Sequence, residues 1–229
     1  GLSQEGTQMS ATLTEMVQPP NRTAPTAEPR WRNSALYFTA AWSGFFVMGV
    51  ELLGGRLMAP YFGSSIFVWG ALIAVFMTAL ALGYLIGGQL SLRSPSLRGL
   101  GLLLIAEALL ALPVILFADP VFDALSFSIE DPRYGSLLAA LLMFSAPTVF
   151  SGMVSPYAVR LLIDNIERSG QSAGRLYFAS TLGSAGGTIL TTFYLVLLFE
   201  IDTIIIGLIA ISFAIGAWLF MTGRGRRAR

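Results

Sequence analysis

The sequence predicts an all-α membrane protein, a bundle of six transmembrane helices with both termini cytoplasmic. Three observations predict it. Of 229 residues, 55% are hydrophobic and only 12% charged, about half the charge fraction of an ordinary soluble domain, and mean hydropathy is +0.70. The apolar residues gather into six runs that, at ~1.5 Å per helical residue, can cross a hydrocarbon core of about 30 Å. The connections between these runs alternate between basic and acidic or neutral, as the positive-inside rule requires.

Residues 1–34 are rich in Ser, Thr, Gln and Pro. They carry too little apolar surface to bury a core, so a cytoplasmic tail is expected, flexible unless a partner binds it. No apolar signal-peptide core is visible there, and the first span is expected to direct insertion itself. The transmembrane domain is expected over 35–221, with spans near 35–59, 65–90, 97–117, 135–155, 175–199 and 202–221. Arg22, Arg30 and Arg32 precede the first span, and the 59–65 turn has no charge. Arg93 and Arg98 follow the second span, and Asp119, Asp123, Glu130 and Asp131 outnumber Arg133 after the third. Arg160, Arg168 and Arg175 follow the fourth, Glu200 and Asp202 the fifth, and a basic tail, 222–229, ends the chain. The short repeat of Val121, Phe122, Leu125 and Ile129 between two prolines predicts a separate surface helix. Beyond a break at Pro156, the fourth span is expected to continue as an amphipathic helix with a polar stripe of Arg160, Asp164, Glu167 and Arg168, to which Arg175 adds.

Cysteine and histidine are both absent. Thiolate chemistry, disulfides, and the commonest general base and metal ligand are thereby excluded. No phosphate-binding glycine loop or zinc-hydrolase motif occurs, and Gly99-Leu-Gly101 lies inside an apolar span. No catalytic residue, cofactor or metal site is expected. The arginine-rich end reads as an orientation signal that touches anionic lipid, with no nucleic-acid partner.

Glu51, Arg56 and Glu107 are the ionisable residues well inside the predicted spans. A charge at mid-membrane costs roughly 3 kcal/mol on insertion scales, so each is expected to face the bundle interior or to snorkel. Glu51 and Arg56 are five positions apart, about 140° around a helix, so they do not share a face. The expected arrangement packs spans one and three together, with Arg56 reaching a carboxylate or the surface. Gly54, Gly55, Gly83, Gly87, Gly88, Gly183 and Gly187 are expected at close helix contacts, because small residues let backbones approach where lipid offers no hydrophobic drive. Pro147 with Ser151-Gly152 is the best candidate for an unwound substrate-site segment.

Three stretches resemble a known family. They are Glu51-Leu-Leu-Gly-Gly-Arg56-Leu-Met-Ala-Pro60-Tyr-Phe-Gly-Ser-Ser, Leu82-Gly83-Tyr-Leu-Ile-Gly-Gly88-Gln-Leu running to Arg93, and Ser151-Gly-Met-Val-Ser-Pro156-Tyr-Ala-Val-Arg160 with Ala173-Gly-Arg175-Leu-Tyr-Phe-Ala-Ser180-Thr-Leu-Gly183-Ser-Ala-Gly186. Together they resemble membrane-bound spermidine synthase-like proteins, fusions of a major-facilitator-like bundle with an aminopropyltransferase domain. The resemblance covers about residues 35–220 and implies major-facilitator-like half-bundle character. The family's glycine-rich nucleoside-binding loop and catalytic carboxylates have no counterpart in these residues.

The expected function is a non-catalytic membrane module in a bacterial inner membrane. It would anchor or scaffold other subunits, or a separate aminopropyltransferase-like protein. The alternative is an amine-cation carrier that uses Glu51 and Glu107 as counter-charges and would form its pathway as a dimer.

Overall fold

A computed structural model describes residues 30–163 and 169–223, and these form helices without strands. The helices are α1 (Arg30–Phe62), α2 (Ile66–Leu90), α3 (Leu97–Ser128), α4 (Pro132–Leu162), α5 (Ser169–Leu198) and α6 (Ile201–Thr222). All six are long and apolar enough to cross a membrane. Within α5, Thr191–Leu195 is π-helical and Val196–Leu198 closes the helix with an α-helical turn.

Turn chemistry sets the joints. Gly63 ends α1 at φ +78°, a left-handed conformation that costs glycine little, and its N–H bonds the Ala59 carbonyl at 2.9 Å. Ser96 caps α3 by accepting from the Gly99 N–H at 3.1 Å, and Asp131 caps α4 by accepting from the Arg133 N–H at 2.9 Å.

Two expected breaks are absent, for one physical reason. α3 continues through Pro113 and Pro120 to Ser128, so the predicted surface helix is the end of the third span itself. Its buried stripe runs unbroken through Ala111, Val114, Ala118 and Phe122. The Phe122 ring packs edge-on to Tyr61 and Phe62 of α1 and against Phe144 of α4. α4 likewise passes through Pro147 and Pro156, and Ser151-Gly152, the candidate for an unwound segment, is helical. Beyond Pro156, Tyr157, Ala158 and Leu162 stay buried, and the Tyr157 hydroxyl accepts from the Ser96 N–H at 3.1 Å. One missing backbone hydrogen bond is outweighed where neighbouring helices hold both sides of a proline.

Broad contacts join α2 to α4, α3 to α6 and α3 to α4. Glycines mark the closest crossings. A Cβ at Gly83 would strike the Val149 carbonyl and Gly152 of α4, and one at Gly87 would meet Met153 at 2.6 Å. Gly54 lies under the Phe144 ring and Gly55 under Trp69. Gly183 abuts Ala41, and a Cβ at Gly187 would meet the Phe45 carbonyl at 2.6 Å, so the predicted face of α5 is its contact with α1. Gly88 differs: a Cβ there meets nothing within 4 Å. Having Gly87 beside it in sequence does not put it on the same face, since one residue turns a helix by about 100°.

The core falls into two apolar clusters. One contains Phe46, Leu53, Leu72, Phe76, Phe122 and Phe144; the other contains Leu36, Leu100, Leu104, Val154, Tyr157 and Leu219. Trp42 packs against both. The level between them is polar.

Candidate functional site, a polar layer around Glu107

Four helices deliver polar side chains to this level: Trp42 and Ser43 from α1, Glu107 from α3, Ser151 from α4 and Ser212 from α6. Glu107 stands ten residues into α3, and Ser212 ten residues before the end of α6. Each is therefore about 15 Å from its helix end, a distance equal to half the thickness of a hydrocarbon core of about 30 Å. The antiparallel crossing of α3 and α6 fixes the pair. A Cβ at Gly101 would meet the Gly216 carbonyl at 2.5 Å, so the backbones touch one turn beyond Ser212 and between one and two turns before Glu107. Gly101 and Gly216 were not among the expected packing glycines. Ser212-x-x-x-Gly216 was the available signal, a pair of small residues at one-turn spacing.

The Glu107 side chain is fully buried. Its Oε2 accepts from the Ser212 hydroxyl at 2.9 Å, and Ser212 Oγ accepts from the Trp42 indole N–H at 2.8 Å. Ser151 lies beside the same carboxyl group. The Ser43 and Ser151 hydroxyls are 2.8 Å apart, and Ser43 also donates to the Ser151 carbonyl at 3.0 Å. Glu107 Oε1 is buried and has no hydrogen-bond partner.

The three charges predicted inside the spans are not brought together. Glu51 is half-buried on α1, eight residues beyond Ser43 and therefore about 12 Å further along the helix. Arg56 is exposed, and among the described residues no ion pair joins it to Glu51 or Glu107. Of the two expected courses for Arg56, a carboxylate partner or the surface, the exposed side chain follows the second. α1 and α3 do pack together as expected, but their polar link is the Tyr61 hydroxyl donating to Asp119 Oδ1 at 3.0 Å.

The predicted stripe on α4 is only partly described. Arg160 is exposed on the last turn of α4 and Arg175 is exposed on α5; Asp164, Glu167 and Arg168 lie outside the described residues. The 1–29 part of the expected tail and the arginines after Gly223 also lie outside them, and α1 begins at Arg30 rather than near residue 35.

A second feature adjoins the layer. A cavity of about 310 Å³ lies between α1, the π-helical end of α5 and α6, lined by Trp42, Phe45, Leu195, Thr203, Leu208 and Ile211 among others. Trp42 therefore has its ring in the cavity wall and its N–H in the polar layer. At the first π-helical position of α5, Thr191 is fully buried and its hydroxyl lacks a partner. Among the described residues no cluster of His, Cys, Asp and Glu could hold a metal ion. No family model, curated protein or solved structure matches the chain.

Proposed function

We propose that this chain is a non-catalytic integral membrane module that anchors or scaffolds a partner protein. The observation that carries the reading is the mismatch between polarity and burial in α5. Its most apolar stretch is only 11% buried, yet its hydropathy is 1.5. α2, α3 and α6, which face outward over much of their surface, reach 2.3, 2.6 and 2.5, and α1, with 1.4, is 56% buried. Lipid exposure should select the most apolar helix, and here the barest helix is one of the two least apolar. Arg175, Tyr177, Thr181, Thr192 and Tyr194 are all exposed on it. A protein surface accommodates such a face better than hydrocarbon does. The resemblance to spermidine synthase-like membrane domains suggests the partner class, an aminopropyltransferase-like protein or another membrane subunit. The basic helix ends support a bacterial inner-membrane protein whose Arg93, Arg98, Arg160 and Arg175 end is cytoplasmic.

The test is site-specific photocrosslinking in native membranes. A crosslinker at Phe178 or Thr192 should yield a discrete protein adduct, whereas one at Leu109 or Leu116 of α3 should label lipid. Lipid adducts alone from the α5 positions would refute the module. An amine-cation carrier is the second reading, favoured by the free Glu107 oxygen and opposed by the distance along α1 that separates Glu51 from it. It requires polyamine-dependent thermal stabilisation that Glu107→Gln abolishes.

A further inference from the structure

Nothing in the scaffold reading uses Glu107, and its surroundings carry an inference that stands independently of that reading. The carboxyl group is fully buried at the level where the two apolar clusters meet. Around it are Trp42 and Ser43 of α1, Ser151 of α4 and Ser212 of α6, all uncharged. Among the described residues no arginine pairs with it. An ionised carboxylate in that position would be a lone charge in a low-dielectric interior, which proteins avoid by pairing it, binding a cation or protonating it.

We infer that Glu107 is a proton-binding site at the bilayer midplane, with the proton on Oε1. The hydrogen bonds place it there. Ser212 accepts from Trp42 and gives its own proton to Oε2, so Oε2 is the acceptor oxygen of the acid. Oε1, which receives no donor, is the remaining place for the proton. A metal ion fits less well. The Ser43 and Ser151 hydroxyls are 2.8 Å apart and spent on each other, which leaves no gap between them for a coordinated cation, while a proton requires none. The step is a simple association, carboxylate plus proton giving the neutral acid, with no other bond made or broken. When the proton leaves, the Ser151 hydroxyl beside the carboxyl group can turn toward the charge.

The site also has a built-in reporter. The Trp42 N–H ends the chain that starts at Oε2, and its ring forms part of the cavity wall between α1, α5 and α6. A change of charge on Glu107 strengthens or weakens the Ser212 bond and is therefore felt at the indole.

Infrared spectroscopy of the full chain in lipid nanodiscs tests the assignment. At neutral pH the wild type should show the carbonyl band of a buried carboxylic acid that shifts in deuterated buffer. Glu107→Gln should remove the band and Glu51→Gln should leave it. Ser212→Ala should move it to higher frequency, because the acceptor oxygen loses its donor, and this variant decides the matter if Glu107→Gln does not fold. Absence of the band in the wild type overturns the inference, as does a band that neither Glu107→Gln nor Ser212→Ala changes. A carboxylate signal that responds to sodium instead of to pH also overturns it, in favour of a metal cation.

Discussion

At the scale of single residues, the carboxylates predicted inside the membrane have different fates, and the difference is solvation. Glu107 is enclosed and donates shape to a four-helix polar layer, while Glu51 is half-buried and Arg56 reaches outward. Ser212 is the residue the layer depends on most, since it satisfies both the Trp42 N–H and Glu107 Oε2. Ser212→Ala leaves both groups unpaired and should cost about 1–2 kcal/mol, the upper part of the range for interhelical hydrogen bonds in membranes. Arg56→Met, which breaks no ion pair among the described residues, should change stability by less than about 0.5 kcal/mol. Thermal melts of the two variants in one detergent check this, and equal losses would mean that the layer contributes no more than the surface. Glu107 was legible in the sequence because a charge in an apolar run is conspicuous. Ser43 and Ser212 were not, because a serine in a membrane helix usually satisfies itself on its own backbone, and Ser151 was singled out for unwinding beside Pro147 and not for its hydroxyl.

At the scale of helices, glycine placement decides which backbones touch. α5 meets α1 through Gly183 and Gly187, with Gly44 of α1 facing Ser180 and Ser184. Gly183→Leu must separate two backbones and should cost about 1–3 kcal/mol or more. Gly88→Leu fills open space and should be tolerated to within about 0.5 kcal/mol. Comparing the assembled fraction of the two variants after solubilisation gives the readout, and a harmless Gly183→Leu would show that α5 does not dock through that face. Glycine spacing picked out Gly83, Gly87, Gly183 and Gly187, which lie at helix contacts, without naming the helices they meet, and it also pointed to Gly88 and passed over Gly101 and Gly216. Spacing along one helix shows which residues share a face; it does not show whether another helix lies over that face. The prolines teach the same lesson. Pro120 and Pro156 lower local helix preference, and rings such as Phe122 and Tyr157 packed on neighbouring helices override it.

At the scale of the whole molecule, the helices alternate in direction, so like-charged connections gather at the same end. Arg98 stands over the Phe220 ring at 6.0 Å near the end of α6, while Arg133 lies 4.4 Å from the Phe67 ring at the opposite end, among the acidic connections. The positive-inside rule then predicts the orientation. In this cysteine-free chain, a single cysteine at Ser128 should react with an impermeant thiol reagent added to intact cells, and cysteines at Ser94 or Gly223 should react only after permeabilisation. Labelling of Ser94 from outside would reverse the topology.

The sequence by itself determined the six helices that, among the described residues, are long and apolar enough to cross a membrane, and it located nearly every connection between them. Both follow from local physics: the length of an apolar run against the thickness of a bilayer, and the backbone's need to satisfy its hydrogen bonds within each helix. Tertiary structure decided what those helices do for one another. It enclosed Glu107 with three serines and an indole, kept α3 and α4 continuous through their prolines, and left α5 bare despite its polarity. Each of these depends on how a helix is rotated and on which neighbour it meets. Run length and composition carry neither, because van der Waals fit and hydrogen bonding between helices are set by residues far apart in the chain.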